Sequence, residues 1–168
     1  ISVFTGTEGT KVSLSGKSPD VLHIATHGYY FTPDEAQEVE LVKGYKDAMM
    51  LSGLIMSGSN VSANEISRLD LSATQLVVLS ACQSGVGRAT SEGLYGLQRA
   101  FKQAGVHTLV MTLWNIDDNV TQQFMAKFYE RLVATSWDKH RAFREARSFI
   151  AAKYPDSPNL WACFVMID

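Results

Sequence analysis

Two apolar runs of strand length, Asp20-Val21-Leu22-His23-Ile24-Ala25-Thr26 and Gln75-Leu76-Val77-Val78-Leu79-Ser80-Ala81, constrain this chain more than any other feature in it. Such near-continuous apolar runs read as strands buried on both faces, the kind found inside parallel sheets. Parallel neighbours need crossover connections, and helical patterns supply them. Residues 61–69 read as a helix capped by Ser62, with Glu65 three residues on to complete a capping box. A helix is expected over 92–104, apolar at Leu94, Leu97 and Phe101 and ended by Gly105. Residues 106–114 form another buried strand, 117–134 and 138–153 two more helices, and 162–167 a final strand after the Asp156-Ser157-Pro158 break. The pattern predicts one α/β domain over residues 1–168: a three-layer sandwich whose mostly parallel central sheet is flanked by helices on both faces.

Other segments are less regular. Residues 1–5 are a short apolar-polar run closed by Gly6, and 7–14 read as a small helix capped by Thr7. From Tyr29 to Lys46 the polar and acidic residues, with Pro33 and Gly44, read as a loop. Met49-Met50-Leu51 and Leu54-Ile55-Met56 read as a β-hairpin around a tight Ser52-Gly53 turn.

Composition excludes several function classes. Fifteen basic against 17 acidic residues leave no basic excess or patch for nucleic acid. No window approaches the roughly 18 apolar residues that span a bilayer, and no signal-peptide pattern opens the chain, so no membrane partner is expected. Two cysteines are too few for a disulfide framework and fit a reducing compartment. Four histidines and two cysteines without zinc-type spacing predict no metal and no cofactor. Gly85-Val86-Gly87 lacks the third glycine of a dinucleotide fingerprint, since position 90 is Thr, and neither a phosphate-binding Gly-Lys-Ser/Thr nor a Gly-x-Ser-x-Gly elbow occurs.

Chemistry concentrates where the two strands end. The first runs into His27-Gly28 and the second into Cys82 and a glycine-rich turn. In open parallel sheets the binding crevice lies beyond the carboxyl ends of the strands. If the strands are neighbours, an imidazole there can take the proton of a thiol and make it a nucleophile. A cysteine is more often simple packing; Cys163, mid-strand between Ala162 and Phe164, fits that reading, whereas Cys82 at a strand end does not. His23 reads as a core or supporting residue on the same side of the pleat as His27, and His107 and His140 as structural or solvated. Asp34, Glu35, Glu38 and Glu40 read as a solvated loop, with a lid or a processing site as the sharper alternatives. Met49, Met50 and Met56 read as packing against a core or a partner surface.

Val21-Leu22-His23-Ile24-Ala25-Thr26-His27-Gly28 together with Leu79-Ser80-Ala81-Cys82-Gln83-Ser84-Gly85-Val86-Gly87 resembles the CHAT family, caspase-like peptidase domains related to caspases, separases and gingipains. The resemblance continues in Ser52-Gly53-Leu54, Glu92-Gly93-Leu94-Tyr95-Gly96-Leu97, Thr112-Leu113-Trp114-Asn115-Ile116-Asp117-Asp118 and Trp161-Ala162-Cys163-Phe164-Val165, and so covers nearly the whole chain. The His-to-Cys separation is close to the ~50-residue offset of caspases. The resemblance implies a cysteine endopeptidase acting on a protein or peptide, with His27 as base and proton shuttle and Cys82 as the nucleophile that forms an acyl-enzyme. The amides of Gly28 and Cys82 would form the oxyanion hole, and a glycine at 28 lets the backbone approach a carbonyl closely. Asp118, beside Asp117, matches the separase position that helps select a basic P1 side chain; the rival reading is that both acids simply begin the next helix.

The resemblance also implies a cytoplasmic, bacterial, regulatory or defence protease switched by partner domains. Almost nothing precedes Phe4, so the family's additional N-terminal strands are expected either to have been cut away or to come from another chain. Two further classes stay open: a catalytically silent caspase-like interaction module, and a thiol hydrolase for a small acyl substrate.

Overall fold

The computed structural model describes residues 2–14, 18–40, 42–80 and 91–168. Its elements in chain order are β1 (Val21–Ala25), β2 (His27–Tyr30), α1 (Ala48–Leu51), β3 (Ser52–Met56), β4 (Ser59–Ser62), α2 (Ala63–Ile66), β5 (Leu76–Ser80), α3 (Ser91–Gln103), β6 (Thr108–Thr112), α4 (Asp118–Ala134), α5 (Lys139–Lys153) and β7 (Phe164–Ile167). The central sheet runs β1-β5-β6-β7. The first three strands are parallel and β7 joins β6 antiparallel. The two runs that dominate the sequence are therefore neighbours, paired from Val21 opposite Leu76 to Ala25 opposite Ser80.

Strand alternation explains the three layers. Val77, Leu79, Leu109 and Met111 face α2 and α3, packing with Ile66, Leu97 and Phe101. Leu76, Val78 and Val110 face the α4–α5 pair, packing with Phe124, Phe128, Phe143 and Ile150. On that side the Phe124 and Phe164 rings stack with centroids 3.7 Å apart. Each such side chain, fully buried, contributes roughly 1.5–3 kcal/mol relative to exposure. The fold is the expected α/β sandwich, caspase-like, with helices on both faces of a mostly parallel sheet.

A second, antiparallel sheet, β2-β3-β4, holds the differences from expectation. Residues 49–56 are not a hairpin. The Asp47 carboxylate accepts from the Met49 amide and starts α1, which runs directly into β3 at Ser52. The hairpin is β3–β4, turning at Ser57-Gly58, where Gly58 takes φ +74°. Gly53 lies mid-strand because a Cβ there would stand 2.2 Å from the Val61 carbonyl oxygen and 2.5 Å from the Tyr29 hydroxyl. Tyr29 and Tyr30 belong to β2, and with Phe31, Ala36, Val42 and Leu51 they form a small core under what reads as a polar loop. Within that loop Glu35 is not simply solvated: it accepts from the Thr32 amide and hydroxyl. Residues 2–5 form no strand, and the expected helix over 7–14 is two 3-10 turns, Gly6–Glu8 and Lys11–Leu14, the first opening on Gly6 at φ +53°. The Ser62–Glu65 capping box forms as expected, on a shorter helix than 61–69.

Gly53→Ala is expected to destabilise the fold at or above the upper end of the ~1–3 kcal/mol typical of overpacking, because backbone rather than a flexible side-chain tip blocks the new methyl. Urea unfolding checks this; an unchanged midpoint would refute the close-approach role of Gly53.

Candidate active site

An open cleft of about 770 Å³ lies beyond the C-terminal ends of β1 and β5, walled by the start of α4. His23, His27, Ser80, Asp117, Asp118 and Tyr129 all line it. Its position is the crevice that parallel-sheet topology predicts.

His27 arrives there because the chain changes sheets. β1 ends at Ala25, and Thr26 donates its hydroxyl to the Ile55 carbonyl, anchoring the crossing to β3. His27 then opens β2 opposite Ile55, and Gly28, buried, stands opposite Leu54. The exposed His27 side chain reaches the cleft. His23 and His27 thus share a cleft but not one pleat, as the strand is interrupted at Thr26. On the neighbouring strand, β5 ends at Ser80 beside Ala25. Cys82, its amide and the Gly85–Gly87 turn fall outside the described residues.

The two acids divide their work. The Asp117 carboxylate caps α4, accepting from the Asn119 amide at 2.8 Å and the Val120 amide at 3.4 Å. Asp118 is the first residue of α4, exposed, and makes no side-chain hydrogen bond or ion pair among the described residues. Asp118 is therefore the acid with its charge available to a ligand.

His23 supports the cleft wall. Its Nδ1 lies 2.9 Å from the Tyr129 hydroxyl and its Nε2 lies 3.1 Å from Ser80 Oγ. Desolvation by burial lowers the His23 pKa below the ordinary imidazole value. Burial likewise pushes Tyr129 up to about 12, so it remains a phenol at neutral pH. Tyr129 and Ser80 escape a residue-by-residue reading of the sequence. The 118, 122, 125, 129 spacing along α4 places Asp118, Gln122, Met125 and Tyr129 on one helical face, and that stripe is the signal that could have found Tyr129.

The remaining candidates lie elsewhere. Cys163 is buried, with Sγ 3.9 Å from the Leu160 carbonyl oxygen, as packing requires. His107 is exposed, and His140 pairs with Asp168 at 3.0 Å. Among the described residues no helix is long and apolar enough to cross a membrane.

Comparison with known proteins gives a match of the whole chain, residues 1–168, to the family model described as CHAT domain. The chain is also similar to tetratricopeptide repeat protein 28 of mouse, 30% identical over 138 residues, and of human, 28% identical over 136 residues. Each alignment covers 80% of this chain, and the chain spans about 5% of the length of those relatives. Both are mammalian, and the bacterial setting that the resemblance implied finds no support in them.

Proposed function

The chain belongs to the CHAT domain family, caspase-like in fold, and on that premise we propose that it is a cysteine endopeptidase in which Cys82 attacks and His27 moves the proton. The observation that carries this reading is the convergence of His27 and the end of β5, two residues before Cys82, on one open cleft. In the proposed reaction His27 accepts the thiol proton and the Cys82 thiolate adds to the scissile carbonyl carbon. The amides of Gly28 and Cys82 hold the oxyanion, and the tetrahedral adduct collapses with its C–N bond broken. His27 returns the proton to the leaving amine, then takes one from the water that hydrolyses the thioester. Asp118 would receive a basic P1 side chain through a charge-assisted hydrogen bond.

An open cleft suits an extended peptide better than a small acyl substrate, which an enclosed pocket would hold. Regulation by an attached helical-repeat region is part of the same proposal: the mammalian relatives are named for tetratricopeptide repeats and are far longer than this chain. A partner domain or chain supplying further N-terminal strands belongs to it too, since β1 is an edge of the central sheet among the described residues. A cytoplasmic location completes the proposal.

Short peptides carrying an acyloxymethylketone and different P1 residues test the reading, with intact mass read on the parent, Cys82→Ala and His27→Ala proteins. Labelling is expected with Arg or Lys at P1 and only when both residues are present. A protein unlabelled by every probe, alone and within its full-length chain, is instead the interaction module.

A further inference from the structure

Alternation along β1 and β5 sends Leu22 and Ile24 to the α2–α3 core and leaves His23 on the opposite face, where Ser80 follows Leu76 and Val78. Tyr129 descends onto that face from α4. The His23 and Tyr129 rings sit 5.7 Å apart at a tilt of 31°, and both imidazole nitrogens meet hydroxyls, Nδ1 that of Tyr129 and Nε2 that of Ser80. A neutral imidazole has one N–H and one lone pair, so this chain of bonds runs in a single sense. The phenol is the more acidic of the two hydroxyls, which favours donation from Tyr129 to Nδ1 and from Nε2–H to Ser80. With both nitrogens engaged, His23 keeps no lone pair with which to take a proton from a thiol or a substrate.

We propose that His23 is a positioning residue: bridged to Tyr129, it holds the Ser80 hydroxyl at the end of β5 and so sets the point from which the chain continues to Cys82. The proposal rests on the reading of His27 and Cys82 as a dyad, and it gives His23 no direct part in the chemistry. The titratable groups around His23 in the cleft are His27 from β2, Asp117 and Asp118 from the start of α4, and Tyr129 farther along α4.

The test is the rate of Cys82 alkylation by iodoacetamide against pH, read by mass on the intact chain; Cys163 is buried and serves as the internal reference. The parent is compared with His27→Ala, His23→Ala, His23→Gln and Tyr129→Phe, the last removing a single oxygen. In His23→Ala and in Tyr129→Phe the thiol inflection is expected to rise by about one pH unit toward the ordinary value, with a matching roughly tenfold loss of rate below it. His23→Gln, whose amide can both accept and donate, is expected to stay near the parent. Combining His23→Ala with Tyr129→Phe should cost no more than the worse single change, as for groups acting as one unit. A His23→Ala profile that superimposes on the parent overturns the proposal, as does a Gln variant no better than Ala. If His23→Ala moves the profile and His27→Ala does not, His23 acts on the thiol directly, and both the dyad and the positioning role fall; the reverse pattern retains the dyad and overturns the positioning role.

Discussion

Cys82→Ala and His27→Ala are each expected to reduce peptide hydrolysis by at least about 10³-fold, and the double variant to be no worse than either single one. Non-additivity is the informative part. A thiol of ordinary acidity is only a few per cent thiolate at pH 7, and the leaving amine needs a proton that the thiolate does not carry. Base and nucleophile therefore contribute as one device, and losing either removes nearly the whole of it. The His27 side chain lines the cleft from a backbone fixed by β2–β3 pairing and by the Thr26 hydroxyl, so the alanine change leaves the surrounding sheet intact. Circular dichroism and thermal melting should match the parent while kcat falls. Two independent partial losses that multiply in the double variant would show that the residues act in separate steps, and would refute the dyad.

Much of the fold is legible in the sequence because apolar runs of strand length leave a plain signature. Burial on both faces holds for β5, whereas β1, an edge strand among the described residues, buries Ile24 and leaves His23 and Ala25 exposed. The Ser62–Glu65 box and the Asp117 cap mark helix starts by local chemistry alone. The second sheet is less legible. An apolar run such as 49–56 suits helix and strand alike, and a Ser-Gly pair reads as a turn even where, as at Gly53, the missing Cβ makes room for a carbonyl and a tyrosine. The true turn is the Ser-Gly pair five residues on, at Ser57-Gly58. The change of sheets at Thr26 has no local signal, because the contacts that accompany it, the Thr26 hydroxyl on the Ile55 carbonyl and the pairing of β2 with β3, lie far along the chain. The same limit governs the site. His27, Asp117 and Asp118 are recognisable from strand ends and motif likeness, whereas the partners of His23 lie 57 and 106 residues away. Strand parity gives the face on which His23 stands; only tertiary packing gives the hydroxyls it meets.

The neighbouring acids permit a prediction in which stability and selectivity separate. Asp118→Asn is expected to lower kcat/KM for Arg or Lys at P1 by roughly 10- to 100-fold relative to a neutral P1, the value of a hydrogen bond to a charged group at about 1.5–3 kcal/mol. Its effect on unfolding should be small, since the carboxylate caps nothing and adds only a helix-dipole contribution of a few tenths of a kcal/mol in solvent. Asp117→Ala is expected to do the opposite. Loss of the bonds to Asn119 and Val120 costs about 1 kcal/mol of cap, seen as a fall of some 2–4 °C in Tm for a chain of this size, with P1 selectivity kept. Asp117→Asn, which can still cap, separates charge from capping at that position: selectivity lost there with Tm preserved would move the pocket role to Asp117. Arg and Lys selectivity unchanged in both Asn variants would remove the basic-P1 proposal and leave the two acids as the opening of α4, where negative charge meets the positive end of the helix dipole.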